Sequence, residues 1–320
     1  MIKETYNMRI IFKIINYLLF KNKLIILSSP FQIINFYEFE KKKIILFKET
    51  TPIFINNDEK NSINQIKKII KILKIRREVI FLKNIASYKF IFFFKNIRKF
   101  FLPKFKISLA GNYLDMFQNE FLKISKYKYI IDDGGNTLLL SDKNYNLNFK
   151  NFYIFTIFKN LPFNKKIIIK NDYSILKKKF NLKKKIIRKK VIHIISSQLY
   201  IHSNESSQTA YFKDLNKIIK KFKKYKILYF AHRREDINFI KKKIKVKIVR
   251  LKVPVEIYYL TSKYLPSYIL TNYSSTTFSL FKIFGKKIEY LNFNSNLNYI
   301  NFRSKELIKN FNLYKKIYKI

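Results

Sequence analysis

Cysteine and tryptophan are absent from this chain, and glycine and proline are scarce, at 4 and 6 in 320 residues. Without cysteine there is neither a disulfide scaffold nor a thiolate metal site. The three histidines, His193, His202 and His232, do not form a ligand cluster by spacing, so no metal or other cofactor is expected. No Walker loop, G-x-G-x-x-G, G-x-S-x-G or H-E-x-x-H motif occurs. Support is therefore lost for P-loop nucleotide hydrolysis, dinucleotide redox chemistry, serine hydrolysis and zinc proteolysis. No apolar run is long and clean enough to span a bilayer; the stretches at 10–20 and 88–101 are broken by Lys, Arg or Asn.

Acidic residues are also few: 20 Asp and Glu stand against 67 Lys and Arg, a formal net charge of +47. Nearly all the cations are Lys, in a chain rich in Ile, Asn, Phe and Tyr, so part of the charge follows from AT-rich codon usage. Such a surface suits anionic lipid headgroups or anionic polysaccharide. Lys is spread over the whole chain and not gathered beside aromatics on one face, so no nucleic-acid partner is expected. At 48% hydrophobic and 18% aromatic the chain is globular, and its length suits two domains. Residues 1–22 read as an amphipathic extension, with Arg9, Lys13 and Asn16 on one helical face, either packed on the body or resting on a membrane.

The remainder alternates between short apolar strands and 3.6-periodic helices. In the first half the strands are "KLIILSS" at 23–29, "KKIILF" at 42–47, "EVIFLK" at 78–83, "FKISLAG" at 105–111 and "YKYIID" at 127–132. Between about 149 and 190 the pattern loosens into a charge run. Alternation resumes with "KVIHIIS", "KILYFA", "VKIVRL", "SYILTN" and "KIEYLN", each followed by a helical pattern. This predicts an α/β protein with parallel sheets: a Rossmann-like domain at 23–165, a basic linker at 166–189 and a second Rossmann-like domain at 190–320, the two facing a cleft.

Ligands of such sheets bind beyond the carboxyl ends of the strands, and four polar groupings sit at predicted strand ends. Asp132 and Asp133, with Gly134 and Gly135, combine a general base with backbone that can take positive φ and admit a substrate closely. The competing reading is an ordinary turn. His232, Arg233 and Arg234 in "YFAHRRED" lie at a predicted helix start and suit a phosphate, or else form a solvated first turn balanced by Glu235 and Asp236. Ser274 and Ser275 precede a helix ending at Gly285; they either cap it or bind phosphate oxygens. Ser28 and Ser29 end the first strand, with Gln32 on the next helix.

The order "SSPFQIIN", "YIIDDGGN", "IISSQLY", "YFAHRRED", "SSTTFS", running from about Lys23 to Leu291, resembles the bacterial lipooligosaccharide sialyltransferases of glycosyltransferase family 52, relatives of the capsular polysialyltransferases. Phe31, Arg233 and Ser197 depart from that family's pattern. The resemblance implies a GT-B fold and a metal-independent, inverting transfer of sialic acid from CMP-sialic acid to a glycan hydroxyl. It implies Asp133 as general base with Asp132 as the alternate, and His232 as phosphate ligand and proton donor. Arg233, Ser274, Ser275, Gln198 and Ser29 would serve the donor. The implied acceptor is a lipid-linked or capsular glycan, and the implied location is the cytoplasm, peripheral on the inner membrane face. The alternatives are a GT-B enzyme with another nucleotide-sugar donor and a non-catalytic basic protein binding membranes or nucleic acid.

Overall fold

The computed structural model describes residues 16, 18–44, 50–55, 60–76, 78–82, 93, 95–140, 151–158, 161, 167–196, 205–293 and 302–318. They fall into two compact units: one of the residues up to Thr137 together with 151–171, the other of 138–140 and everything from Asp172 onward.

The first unit is built on a seven-stranded sheet, β1 (Lys23–Leu27), β2 (Ile53–Ile55), β3 (Ile80–Leu82), β4 (Phe105–Ala110), β5 (Ser125–Ile131), β6 (Phe152–Thr156) and β7 (Ile168–Lys170), in the order β3-β2-β1-β4-β5-β6-β7. All its pairings are parallel. Strands buried on both faces read as continuous apolar runs, and Leu24–Leu27 are all buried. Its helices are α1 (Pro30–Lys41), α2 (Lys60–Leu73), α3 (Met116–Lys123) and the short α4 (Gly135–Leu139) at the border with the second unit. α1 starts where the sequence requires: Pro30 sets the first helical φ, and Ser29 and Gln32 form a reciprocal capping box. Chain order reverses between β1 and β4, and that break in winding is where an open α/β sheet leaves a crevice.

The second unit contains α5 (Ser174–Lys179), a 3₁₀ turn at Leu182–Lys184, β8 (Ile186–Ile195), α6 (Glu205–Lys221), β9 (Lys226–Ala231), α7 (Ile237–Lys243), β10 (Lys247–Arg250), α8 (Val255–Thr261), β11 (Tyr264–Thr271), α9 (Thr276–Phe284), β12 (Glu289–Asn292) and α10 (Phe302–Tyr318). Its sheet order is β10-β9-β8-β11-β12, again parallel, so β8 lies at the switch between β9 and β11. Its core gathers Ile192, Ile194, Tyr211, Leu215, Tyr229 and Ile240.

Several expectations are corrected. Among the described residues the second strand is Ile53–Ile55, where Pro52 precedes a short β-rich run; of the predicted 42–47, residues 42–44 are turn and bend and 45–47 lie outside the described residues. The stretch 166–189 is not a plain linker. It holds β7 of the first sheet, then α5, the 3₁₀ turn and the start of β8, whose residues up to Lys190 are largely exposed and therefore lack the apolar signature of a buried strand. Of the extension 1–22, residues 1–15 and 17 are outside the described set; Leu18 is buried, which fits a packed attachment. Among the described residues no helix is long and apolar enough to cross a membrane.

Candidate functional site

In the first unit, Asp132 and Asp133 follow β5 directly, and the two carboxylates have different surroundings. Asp132 is fully buried. Its Oδ2 accepts from the Ile157 N–H at 2.8 Å and the Thr156 hydroxyl at 3.0 Å, tying the end of β5 to the end of β6. Its Oδ1 is buried without a hydrogen-bond partner. Burial pushes its pKa up to about 6; the Ile157 N–H and the Thr137 and Thr156 hydroxyls pull the other way, and the charge of Asp133 adds to the rise. Asp132 is thus fully enclosed and joins two strand ends, as a structural anchor does.

Asp133 is half-buried. Its Oδ1 accepts from the Ser29 hydroxyl at 3.1 Å, its Oδ2 from the Asn136 amide at 2.5 Å, and its N–H donates to the Thr137 hydroxyl at 2.9 Å. A carboxylate held by two separate side chains, on a backbone fixed by a third, is oriented before any ligand arrives. Gly134 has φ +63°, the left-handed region, so one of the two glycines carries the turn; Gly135 is simply the first residue of α4.

Ser29 therefore belongs with Asp133, in the first unit, and its hydroxyl both caps α1 and steadies the carboxylate. Behind it lies a buried amide network that sequence reasoning missed. The Gln32 carbonyl accepts from Ser28 N–H, and Gln118 Nε2 donates to the Ser28 hydroxyl at 3.0 Å. The Gln118 carbonyl accepts from the N–H groups of Gly111 and Asn112 after β4, both at 2.9 Å. Asn35 donates to the Asp132 carbonyl at 2.9 Å and accepts from Asn171 at 3.0 Å. Amides buried on helices α1 and α3 were the only available signal, and their partners are far away in sequence.

In the second unit, register places three strand ends side by side: Ile195 of β8 is level with Phe230 of β9 and with Thr271 of β11. His232 leaves β9 two residues past Phe230, and Ser274 and Ser275 follow β11 three and four residues past Thr271. Adjacent strands are about 4.8 Å apart, so these groups emerge on either side of β8 within about 10 Å of sheet width. Ser196 ends β8 between them; Gln198 lies outside the described residues.

His232 and Arg233 are half-buried. They do not start a helix. The turn 232–235 precedes α7, which begins at Ile237 and is capped by Asp236, whose carboxylate accepts from Asn238 N–H at 2.8 Å. Asp236 thus supplies the negative charge that a phosphate was expected to supply at this helix end. The organising residue is the buried Glu235, which accepts from the Tyr229 hydroxyl at 2.7 Å and from the His232 N–H. Burial raises its pKa to about 7, against the Ser196 hydroxyl, the His232 N–H and the charge of Arg250. The sequence offered Glu235 only as a balancing surface charge.

Ser275 occupies the N-cap position of α9 in an αR conformation without a side-chain cap. The first turn is closed instead by Thr277 N–H to Ser274 C=O and Phe278 N–H to Ser275 C=O, both 3.0 Å, and by Thr271 Oγ1 to Thr277 Oγ1 at 2.8 Å. The hydroxyls of Ser274 and Ser275 are left over, with no hydrogen bond to any described residue. Gly285 ends α9 at φ +60°, as expected. Among the described residues no group of three His, Asp or Glu side chains could hold a metal ion.

These two units, each a parallel sheet with its polar groups at the carboxyl edge, define a GT-B-like α/β fold. Comparison with solved structures agrees: UDP-GlcNAc 2-epimerase from Methanocaldococcus jannaschii, in complex with UDP-GlcNAc and UDP, matches with TM-score 0.54 at 14% identity, covering 91% of this chain and 92% of that one. MnaA from S. aureus with UDP matches with TM-score 0.53 at 12% identity, covering 93% and 88%. An α/β-galactoside α-2,3-sialyltransferase from Photobacterium phosphoreum matches at TM-score 0.48 and 13% identity, over 91% and 95%, too distant to inform the reaction. No known protein family matches the sequence, and no curated protein does.

Proposed function

We propose that the chain is a glycosyltransferase that takes sialic acid, or a closely related acidic sugar, from its CMP-activated form and passes it with inversion to a glycan hydroxyl. The observation that carries this reading is the register of β9, β8 and β11, which sets His232 and the spare hydroxyls of Ser274 and Ser275 around one switch point. That is a set of donors for a single phosphate. A monophosphate leaving group carries less charge than a diphosphate, so imidazolium and hydroxyl donors can stabilise it without a divalent ion. His232 would protonate the departing phosphate, and the half-buried, pre-oriented Asp133 would take the proton of the acceptor hydroxyl. The order of motifs along the chain supports the CMP-sugar over other donors.

The rival is a UDP-sugar enzyme, since the M. jannaschii epimerase that shares this fold was solved with UDP-GlcNAc and UDP. Calorimetric titration of the full chain with CMP and with UDP separates the two. CMP should bind more tightly, and both His232→Ala and the double variant Ser274→Ala/Ser275→Ala should weaken it by about tenfold or more, the worth of one or two charge-assisted hydrogen bonds. Preference for UDP, or CMP binding indifferent to all three positions, refutes the assignment.

A further inference from the structure

The amino edge of the first sheet, opposite Asp133, carries an unusual surface. Phe20, Phe100 and Phe101 are 74%, 70% and 80% exposed. They belong to one corner. Phe20 precedes β1 and Phe100–Phe101 precede β4, and these strands are parallel neighbours with Lys23 level with Ile107. Arg98 joins the two approaches: its guanidinium donates to the carbonyls of Leu18 and Leu19, its Nε to the Pro103 carbonyl at 3.1 Å, and it lies 3.7 Å over the Phe105 ring. The phenylalanines are therefore held outward by a built corner, not left on a frayed end.

Beside them runs a row of cations. Phe105 pairs with Ser125 and Ile107 with Tyr127, which sets Lys106 next to Lys126 at the starts of β4 and β5. With Lys104, Lys128, Ser125 and Asn151 they line a shallow hollow. Lys104, Lys106 and Lys126 form no ion pair with any described residue, and Lys128, lowered by burial, is lowered further by the charge of Lys104. Crowded cations of one sign beside outward-facing phenyl rings complement a surface with anionic headgroups above hydrocarbon.

We propose that this edge docks on an anionic lipid bilayer, with Phe20, Phe100 and Phe101 entering the headgroup–acyl boundary and Lys104, Lys106 and Lys126 on the headgroups. Phenylalanine has no polar rim to stay in water for, and Lys can reach headgroups on a flexible stem. β5 has seven residues, so the carboxyl edge bearing Asp133 stands about 23 Å from the docked edge. The inference does not depend on the activity proposed above.

The absence of tryptophan provides the test. The full-length Phe101→Trp variant has a single indole, whose emission should shift to the blue on adding vesicles of equal parts phosphatidylcholine and phosphatidylglycerol, and not with phosphatidylcholine alone. In sedimentation with the same vesicles, Phe100→Ser/Phe101→Ser should weaken binding at least about tenfold per ring removed. Lys104→Glu/Lys106→Glu/Lys126→Glu should weaken it by about fivefold or more per lysine, as each adjacent cation contributes of that order. The control Lys242→Glu/Lys245→Glu, with exposed lysines of the second unit, should change it far less, because the overall charge of the chain is not the cause. Equal losses in control and patch variants, an unshifted indole, self-association through this face without vesicle binding, or tighter binding to single-stranded RNA than to the vesicles would each overturn the proposal.

Discussion

Replacing Asp132 by Asn should change how stability depends on pH more than stability itself. The folded state raises the Asp132 pKa from 3.8 to about 6, mainly by burial. Below pH 3.8 the carboxyl is protonated in both folded and unfolded chains and contributes no pH dependence. Between 3.8 and about 6 the unfolded chain loses the proton and the folded one keeps it, so stability falls as pH rises. Above about 6 the whole difference applies: about two pKa steps at 1.36 kcal/mol each, or about 3 kcal/mol of destabilisation. The amide of Asp132→Asn keeps an oxygen for the Ile157 and Thr156 donors but puts an NH₂ where Oδ1 has no partner, a cost of about 1–3 kcal/mol at every pH. The stability of the Asp132→Asn variant minus that of the wild type should therefore rise by about 3 kcal/mol from pH 3.5 to pH 7. For a unit of this size that is on the order of 6–12 °C in melting temperature. Scanning calorimetry of both proteins across that range, following the transition that moves with the substitution, reads it directly. Parallel pH profiles would show that Asp132 ionises as an exposed carboxylate does, and the distinction drawn between the two aspartates would fail.

Two further substitutions probe the supports of the candidate site. A Cβ at Gly111 would come within 1.9 Å of Gln32 Oε1, on a side chain that is itself fully buried; Gly111→Ala should cost about 1–3 kcal/mol by chemical denaturation and should disturb the Ser28–Ser29 loop. Glu235→Gln should hold His232 in place, because its amide can accept from the His232 N–H while donating to the Tyr229 oxygen, and should retain nucleotide binding. Glu235→Ala removes that acceptor from both groups and should lose binding with His232 still present, as read by titration calorimetry.

Much of the architecture was legible because the strands of a doubly covered sheet are short apolar runs between periodic helices. "KLIILSS", "KILYFA" and "KIEYLN" became β1, β9 and β12 within a residue or two. The strand β2 was missed because "IFI" is only three residues long, while the more apolar "KKIILF" starts in turn and bend at 42–44 and then leaves the described residues. The first half of β8 hid in a lysine run because its side chains face solvent. In the two units taken separately, Asp133, His232 and Ser274–Ser275 could be picked out as polar groups at strand ends. Their supports could not: Ser29 reaches Asp133 across 104 positions, and the buried Glu235 is held by the Tyr229 hydroxyl and the His232 N–H. Pairings of that kind depend on how strands are ordered in the sheet, which no local pattern encodes.

We propose that transfer runs through Asp133 and His232 from a CMP-activated acidic sugar. It is tested most directly by following CMP release from CMP-sialic acid, with a panel of galactosides and sialosides as acceptors and a chelator present. Release should depend on the acceptor and need no added metal, fall about 10²–10⁴-fold in Asp133→Asn and in His232→Ala, and be largely preserved in Asp132→Asn. Release that needs a divalent ion, or that survives in Asp133→Asn while failing in Asp132→Asn, would contradict it.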